Sequence, residues 1–233
     1  MSSQQDVVFC WPRVACALGF FILYIFMKEN CLEKVIFFID GFNLYHSFAN
    51  KRFNKYKWID LSELAKNFIT KKEHIEEIYY FTALTPWSPD KMNRHKIFIK
   101  AQELKGIKIV YGEFRKKDRR CRLCKKTYTT FEEKRTDVNI AIYLFKLAIQ
   151  DKFDKAYIIS GDSDLIPSIE AVKTLFPHKQ IGVVIPIGRH AELLKLKCDF
   201  HMKIKEKHLR DSILPDIISL KDNKQLVCPE SWH

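Results

Sequence analysis

The chain has 233 residues, which suits one α/β domain with additions. Hydrophobic residues make up 47% of it, enough for a sizeable core, and no internal repeat or low-complexity tract suggests a repeat array or a disordered polymer. The net charge of +12 points to an anionic partner, most simply nucleic acid, although charge fixes no fold. Seven cysteines are scattered at 10, 16, 31, 121, 124, 198 and 228 rather than packed into a disulfide framework. That pattern predicts free thiols, a reducing cytoplasmic setting and at most one thiolate metal site.

In chain order, Val14 to Met27 carries no charge, and Pro12-Arg13 separates it from a shorter apolar run over Val7 to Trp11. A spanning helix wants roughly 20 apolar residues, and the flanks of a secretory signal are missing. Residues 1–30 therefore read as outside the fold. They are either a short membrane anchor, with contact through 7–27, or a stretch translated upstream of a natural start at Met27. Residues 31–210 hold the domain, and 211–233 a C-terminal tail.

Val35-Ile36-Phe37-Phe38-Ile39 is an unbroken apolar run, the pattern of a strand buried on both faces. It ends at Asp40-Gly41, and Asn43 to Phe48 continues as a short helix. Gly41 is expected to let the chain turn sharply and a ligand approach the backbone. Asp60-Leu61-Ser62-Glu63 is a capping box that predicts a helix from Leu61 to Phe68. Ile75 to Leu84 is a second strand. Ser88-Pro89 opens a helix to Leu104, with Met92, Ile97, Ala101 and Leu104 mostly on one face. Ile107 to Phe114 is a third strand. From Asp137 to Ile149 the spacing predicts a helix with Val138, Ala141, Leu144, Phe145 and Ala148 inward. Ala156 to Ser160 and Ile181 to Ile185 complete about five strands, with helices to Leu175 and over Arg189 to Lys195. Alternating strands and helices predict a mostly parallel sheet covered on both sides.

The carboxylates carry the chemistry. Asp40 follows the first strand, Asp162 and Asp164 follow the fourth, and Asp137 opens the helix leading into that fourth strand. Ligands of open α/β sheets bind at the carboxyl ends of the strands. If strands one and four are neighbours, all four acids converge, and crowded like charges call for a cation. An all-oxygen donor set suits Mg²⁺ or Mn²⁺, the equipment for phosphodiester hydrolysis by activated water. Taken singly, each acid reads equally well as a helix cap.

Three segments, Phe38-Ile39-Asp40-Gly41-Phe42-Asn43-Leu44, Glu133-Lys134-Arg135-Thr136-Asp137-Val138-Asn139-Ile140-Ala141 and Ile159-Ser160-Gly161-Asp162-Ser163-Asp164-Leu165, resemble the NYN domain, in particular the LabA-like branch of the PIN-like nuclease superfamily. The resemblance covers about residues 34 to 210. It implies a Rossmann-like, three-layer PIN-type fold and a metal-dependent ribonuclease acting on RNA. Asp40, Asp137, Asp162 and Asp164 would be its metal-site acids. Asn43 would contact substrate or metal-bound water, and Ser160 would line the site. Gly188-Arg189-His190 resembles a further family segment of unassigned role. Two other classes stay open: a non-catalytic RNA-binding module of the same fold, and a phosphatase, since Gly161-Asp162-Ser163-Asp164 also resembles the metal loop of haloacid-dehalogenase-type enzymes. Those enzymes need a second acid two residues after the first, where this chain has Phe42.

Arg115 to Lys126 interrupts the α/β pattern as a basic insertion, eight cations against Asp118. Arg119, Arg120 and Arg122 are expected to bind the RNA backbone. Phe114, Tyr128 and Phe131 flank the run as stacking or core residues. Cys121 and Cys124 have the spacing of half a tetrahedral structural Zn²⁺ site. The missing ligands would be Cys198, a histidine, or the same pair from a second subunit, which would make the protein a homodimer.

Overall fold

A computed structural model describes residues 32–220 and 224–232. The segment read as anchor or upstream stretch lies outside the described residues. In order, β1 (Glu33–Asp40), α1 (Gly41–Ser47), a 3-10 turn (Lys51–Lys57), α2 (Leu61–Lys66), β2 (Glu73–Thr82), α3 (Pro89–Leu104) and β3 (Lys108–Tyr111) form the first half. A hairpin of β4 (Glu113–Arg120) and β5 (Thr127–Lys134) follows. The second half is α4 (Thr136–Ile149), β6 (Lys155–Ile159), α5 (Ile166–Leu175), β7 (Gln180–Ile185), α6 (Glu192–Lys197), β8 (Phe200–Lys203) and α7 (Glu206–Arg210). A two-stranded ribbon of β9 (Ile217–Ser219) and β10 (Gln225–Val227) and a final 3-10 turn (Glu230–Trp232) follow.

Six strands pair in parallel in the order β3-β2-β1-β6-β7-β8. The chain builds outward from β1 in one direction, returns through the hairpin and α4, and builds outward in the other. β1 and β6 are therefore the switch point of a Rossmann-like sheet, where a crevice opens beyond the strand ends. β1 is the central strand that its apolar run predicts. Val35, Phe37 and Ile39 enter one core layer with α1, α2 and α3, while Ile36 and Phe38 enter the other with α4, α5 and α6.

Several expectations are corrected. A sixth strand, β8, adds to the five read from sequence. The third strand stops at Tyr111, because Gly112 redirects the chain into the hairpin. A Cβ there would lie 2.6 Å from Thr136 Oγ1 and 2.8 Å from the Lys134 carbonyl oxygen. Arg115 to Lys126 is ordered antiparallel ribbon through Arg120, not an irregular insertion. The inward face of α4 is Thr136, Ile140, Leu144, Leu147 and Ala148, leaving Val138 59% exposed. α3 buries Phe98, Ile99, Ala101 and Gln102, and Leu104 lies exposed. Asp60 caps α2 as expected, accepting from the amides of Ser62 and Glu63. The C-terminal segment packs on the same core, with Trp232 centred 6.2 Å from both Trp58 and Phe98.

Candidate active site

Asp40 leaves the end of β1 and is 4% exposed. Its Oδ1 accepts from the Asn43 amide at 3.0 Å, capping α1, and its Oδ2 accepts from the Ser160 hydroxyl at 2.8 Å. The capping reading and the cluster reading are thus both true of one carboxylate. Ser160, fully buried after β6, also accepts from the Asp162 amide at 3.0 Å. Asp162 Oδ1 accepts from the Asp164 amide at 3.0 Å, starting the turn into α5. Asn43 reaches across the crevice, and its side-chain oxygen accepts from the Gly161 amide at 3.1 Å. Asn43 and Ser160 therefore lock the two halves of the switch point together.

Gly41 is required here for a reason other than the predicted turn. A Cβ on it would stand 2.6 Å from the Phe81 carbonyl oxygen and 2.7 Å from the Tyr80 ring. The glycine lets α1 start flush against β2.

Asp137 sits in the first turn of α4 beside this group. Burial, reinforced by the charges of Asp40, Asp162 and Asp164, pushes its pKa up to about 6. Burial likewise raises Asp40 to about 6 against the pull of its two hydrogen bonds, with Glu133 and Asp162 adding repulsion. Four predicted acids thus share one electrostatic neighbourhood. Among the described residues none of them forms an ion pair with a lysine or arginine.

Glu133 is a fifth acid that sequence reasoning missed. Burial holds its carboxyl above the usual range, and Asp137 adds repulsion. Thr136 pulls the other way by donating to this carboxylate, and both Glu133 Oε1 and Thr136 Oγ1 are buried. The signal was strand alternation at the end of β5. Glu132 faces outward and pairs with Lys117, Arg119 and Lys134, so Glu133 must face inward. Thr136 follows Arg135, which holds a left-handed φ of 77° and pairs with Glu113 at 3.1 Å. That backbone turn delivers Asp137 to the crevice.

A divalent cation is tested by the donor set. Clustered carboxylate oxygens, buried at Asp40, half-buried at Asp137 and Asp162 and exposed at Asp164, repel one another and suit a hard cation such as Mg²⁺ or Mn²⁺. Among the described residues no three acidic, imidazole or thiolate side chains are gathered closely enough to hold a metal ion as they stand.

The ribbon does not present all its charge to solvent. Glu132 is held down at about 2 by Arg119 first, then Lys117 and Lys134. Arg115 pairs with Glu113 at 2.5 Å. Arg120 donates through Nε to the Lys125 carbonyl at 3.1 Å, and Arg122 makes no ion pair among the described residues. Phe131 stacks on Trp87 at 3.9 Å, and Phe114 meets Trp87 edge-on at 4.6 Å and Phe42 at 5.2 Å. Those two aromatics anchor the ribbon to the domain, while Tyr128 is half exposed. Cys121 and Cys124 form the ribbon's turn, and amide hydrogen bonds from Cys124 and Leu123 pull the Cys121 thiol below its usual range. Cys198 is elsewhere, buried among α5 and α6, and burial pushes it up to about 11.

A Rossmann-like sheet with acids gathered at its switch point defines a PIN-like α/β protein. The NYN domain matches residues 34–204, and the chain belongs to that family, within the PIN-like nuclease superfamily. It is 24% identical to 6-hydroxy-3-succinoylpyridine 3-monooxygenase HspA of Pseudomonas putida, over 84% of this chain and 74% of that protein. A solved structure of a protein of unknown function, VPA0982 from Vibrio parahaemolyticus, superposes with a TM-score of 0.53. The match has 17% identity and covers 79% of this chain and 98% of that one, a likeness of fold alone. No helix among the described residues is long and apolar enough to cross a membrane.

Proposed function

We propose that this protein is a metal-dependent ribonuclease of the LabA-like branch. The observation that carries the reading is the crowding of Asp40, Asp137, Asp162, Asp164 and Glu133 at the switch point without a basic partner. Asp40, Asp137, Asp162 and Asp164 would hold Mg²⁺ or Mn²⁺, which supplies a lowered water pKa and a Lewis acid for a phosphate oxygen. The chain's own groups do the rest. Ser160 and Asn43 fix Asp40 and the Asp162 loop, so the donor oxygens need little rearrangement. Asp137, held near 6 in the metal-free site by burial and its acidic neighbours, would give up its proton as the cation binds, so metal occupancy rises with pH through 6. Arg122, Arg120 and Lys116 on the ribbon bind phosphates of the RNA backbone, giving affinity with little sequence choice. Arg119 is tied to Glu132 and contributes less. Cys121 and Cys124 are half of a Zn²⁺ knuckle completed by a second copy of the chain. Elemental zinc of one ion per two chains, with a dimer that chelator dissolves, is the expected measurement.

Two further readings are separated by the same assay. One is a non-catalytic RNA-binding NYN module. The other, oxygenation of a small aromatic acid, rests on the sequence likeness to HspA. Purified protein should cleave single-stranded RNA with Mn²⁺ and not with EDTA, and should do so without oxygen or a reductant. Binding without cleavage supports the first alternative, and oxygen-dependent turnover of an aromatic acid the second.

A further inference from the structure

A second cavity opens at the same edge of the sheet, on the β2 side of α1. Gly41 and Phe42 belong to its wall, so it adjoins the acid cluster, which lies on the β6 side. Its volume is about 100 Å³, several times the ~10–15 Å³ that one water requires. The walls are largely apolar and aromatic, including Leu44, Phe48, Tyr80, Phe98 and Trp232. A dry cavity with such walls would be unremarkable as a packing fault, but its polar lining is not that of a fault.

Lys57, Lys91 and Arg94 all line it, and among the described residues none has a carboxylate partner. Lys57 and Arg94 are close enough that Arg94 joins burial in depressing the lysine's pKa. Lys57 has only the neutral Asn54 side-chain oxygen, accepting at 2.8 Å, so the half-buried Lys57 and Arg94 stand together beside an apolar space without an anion, with the exposed Lys91 at its rim. Thr85 also lines the cavity, and its Oγ1 is buried with no hydrogen-bond partner, although most buried hydroxyls have one. On the same lining His95 Nε2 hydrogen bonds Thr82 Oγ1 at 3.1 Å, and burial lowers this imidazole to about 4, so it stays neutral and adds no further charge. Tyr45, 40% exposed, carries Lys57 over its ring at 5.1 Å from the centroid.

We infer that this cavity binds a planar aromatic group that carries a negative charge, its ring between the apolar walls, a polar edge on Thr85, and its anion on Lys57 and Arg94. Two sources offer that chemistry. One is a nucleotide, with an unstacked base in the cavity and its phosphate on the cations. The other is a free aromatic acid. The inference stands on the cavity and does not require the acid cluster to be catalytic.

The test is calorimetric titration of the full chain in EDTA with uridine and adenosine 5′-monophosphates, with benzoate, and with uridine as the uncharged control. Trp232 fluorescence, with Trp232→Phe to assign it, reports occupancy locally. At least one anionic probe should bind saturably at one site, and uridine roughly 10-fold more weakly than its monophosphate. Lys57→Ala combined with Arg94→Ala should weaken binding about 10-fold or more. Thr85→Val keeps the shape of the side chain and removes only the hydroxyl, so it should fold and cost about 5-fold or more in affinity. Tighter binding of the monophosphates assigns a nucleotide subsite, and tighter binding of benzoate assigns a small-acid site. The inference is overturned if no probe binds saturably at millimolar concentration, or if Thr85→Val and the double variant both bind as the wild type does. RNA cleavage with an empty cavity would sink this inference and leave the nuclease reading intact.

Discussion

At the scale of single residues, Asp40 combines a structural and a chemical role at the expense of stability. Its pKa lies near 6 in the folded protein against 3.8 for the free side chain. A carboxyl raised on folding costs nothing below about pH 3.8, and its cost grows as pH rises through 6. Asp40→Asn should therefore melt higher than the wild type at pH 7 in EDTA, by up to about 3 kcal/mol. The two should converge near pH 4, and thermal melts across that range check it. Asparagine remains a good cap, so α1 should survive the change. Gly41→Ala makes a contrasting case. Its new methyl group meets backbone 2.6 Å away, so a loss of roughly 1–3 kcal/mol is expected, measured by urea unfolding. These residue roles were unevenly legible. Asp40 and Asp162 stand out because each ends an apolar run. Glu133 did not, because its meaning depends on a strand that charge patterning conceals.

At the scale of elements, the hairpin of β4 and β5 shows what the sequence hides. A ribbon with both faces largely exposed has no apolar alternation to announce it, and its pairing is written in ionic contacts to Glu132 and Glu113 instead. β8 was missed for a related reason, being a four-residue edge strand. The face of α4 was misjudged because that helix is apolar on two sides, with Val138, Ile142 and Ile149 outward. The ribbon's role separates by charge pairing. Replacing Lys116, Arg120 and Arg122 with alanine should flatten the salt dependence of RNA binding by about 2 units of slope. Arg119→Ala alone should change it by much less, since that guanidinium is engaged by Glu132. Filter binding from low to moderate salt checks both, and an unchanged slope in the triple variant would remove the ribbon from the RNA site.

At the scale of the whole molecule, strand order does the organising work. Placing β1 beside β6 brings residue 40 next to residues 160 to 164, and the hairpin and α4 carry Glu133 and Asp137 to the same crevice. The doubly covered sheet was legible in the chain, because buried parallel strands are written as continuous apolar runs. The adjacency of β1 and β6 was not, since no local pattern encodes which distant strands pair. The cavity walled by Trp232 was equally hidden, being assembled from five separate stretches of chain. The central claim, that the gathered carboxylates hold a divalent cation, is tested most directly by titrating Mn²⁺ calorimetrically at pH 6 in buffers of different ionisation enthalpy. With Asp40 and Asp137 both near 6, binding should be saturable and release roughly one proton per ion. Asp137→Asn should weaken binding at least about 10-fold and reduce the released proton count. Equal Mn²⁺ affinity and proton release in the wild type and Asp137→Asn would contradict the account.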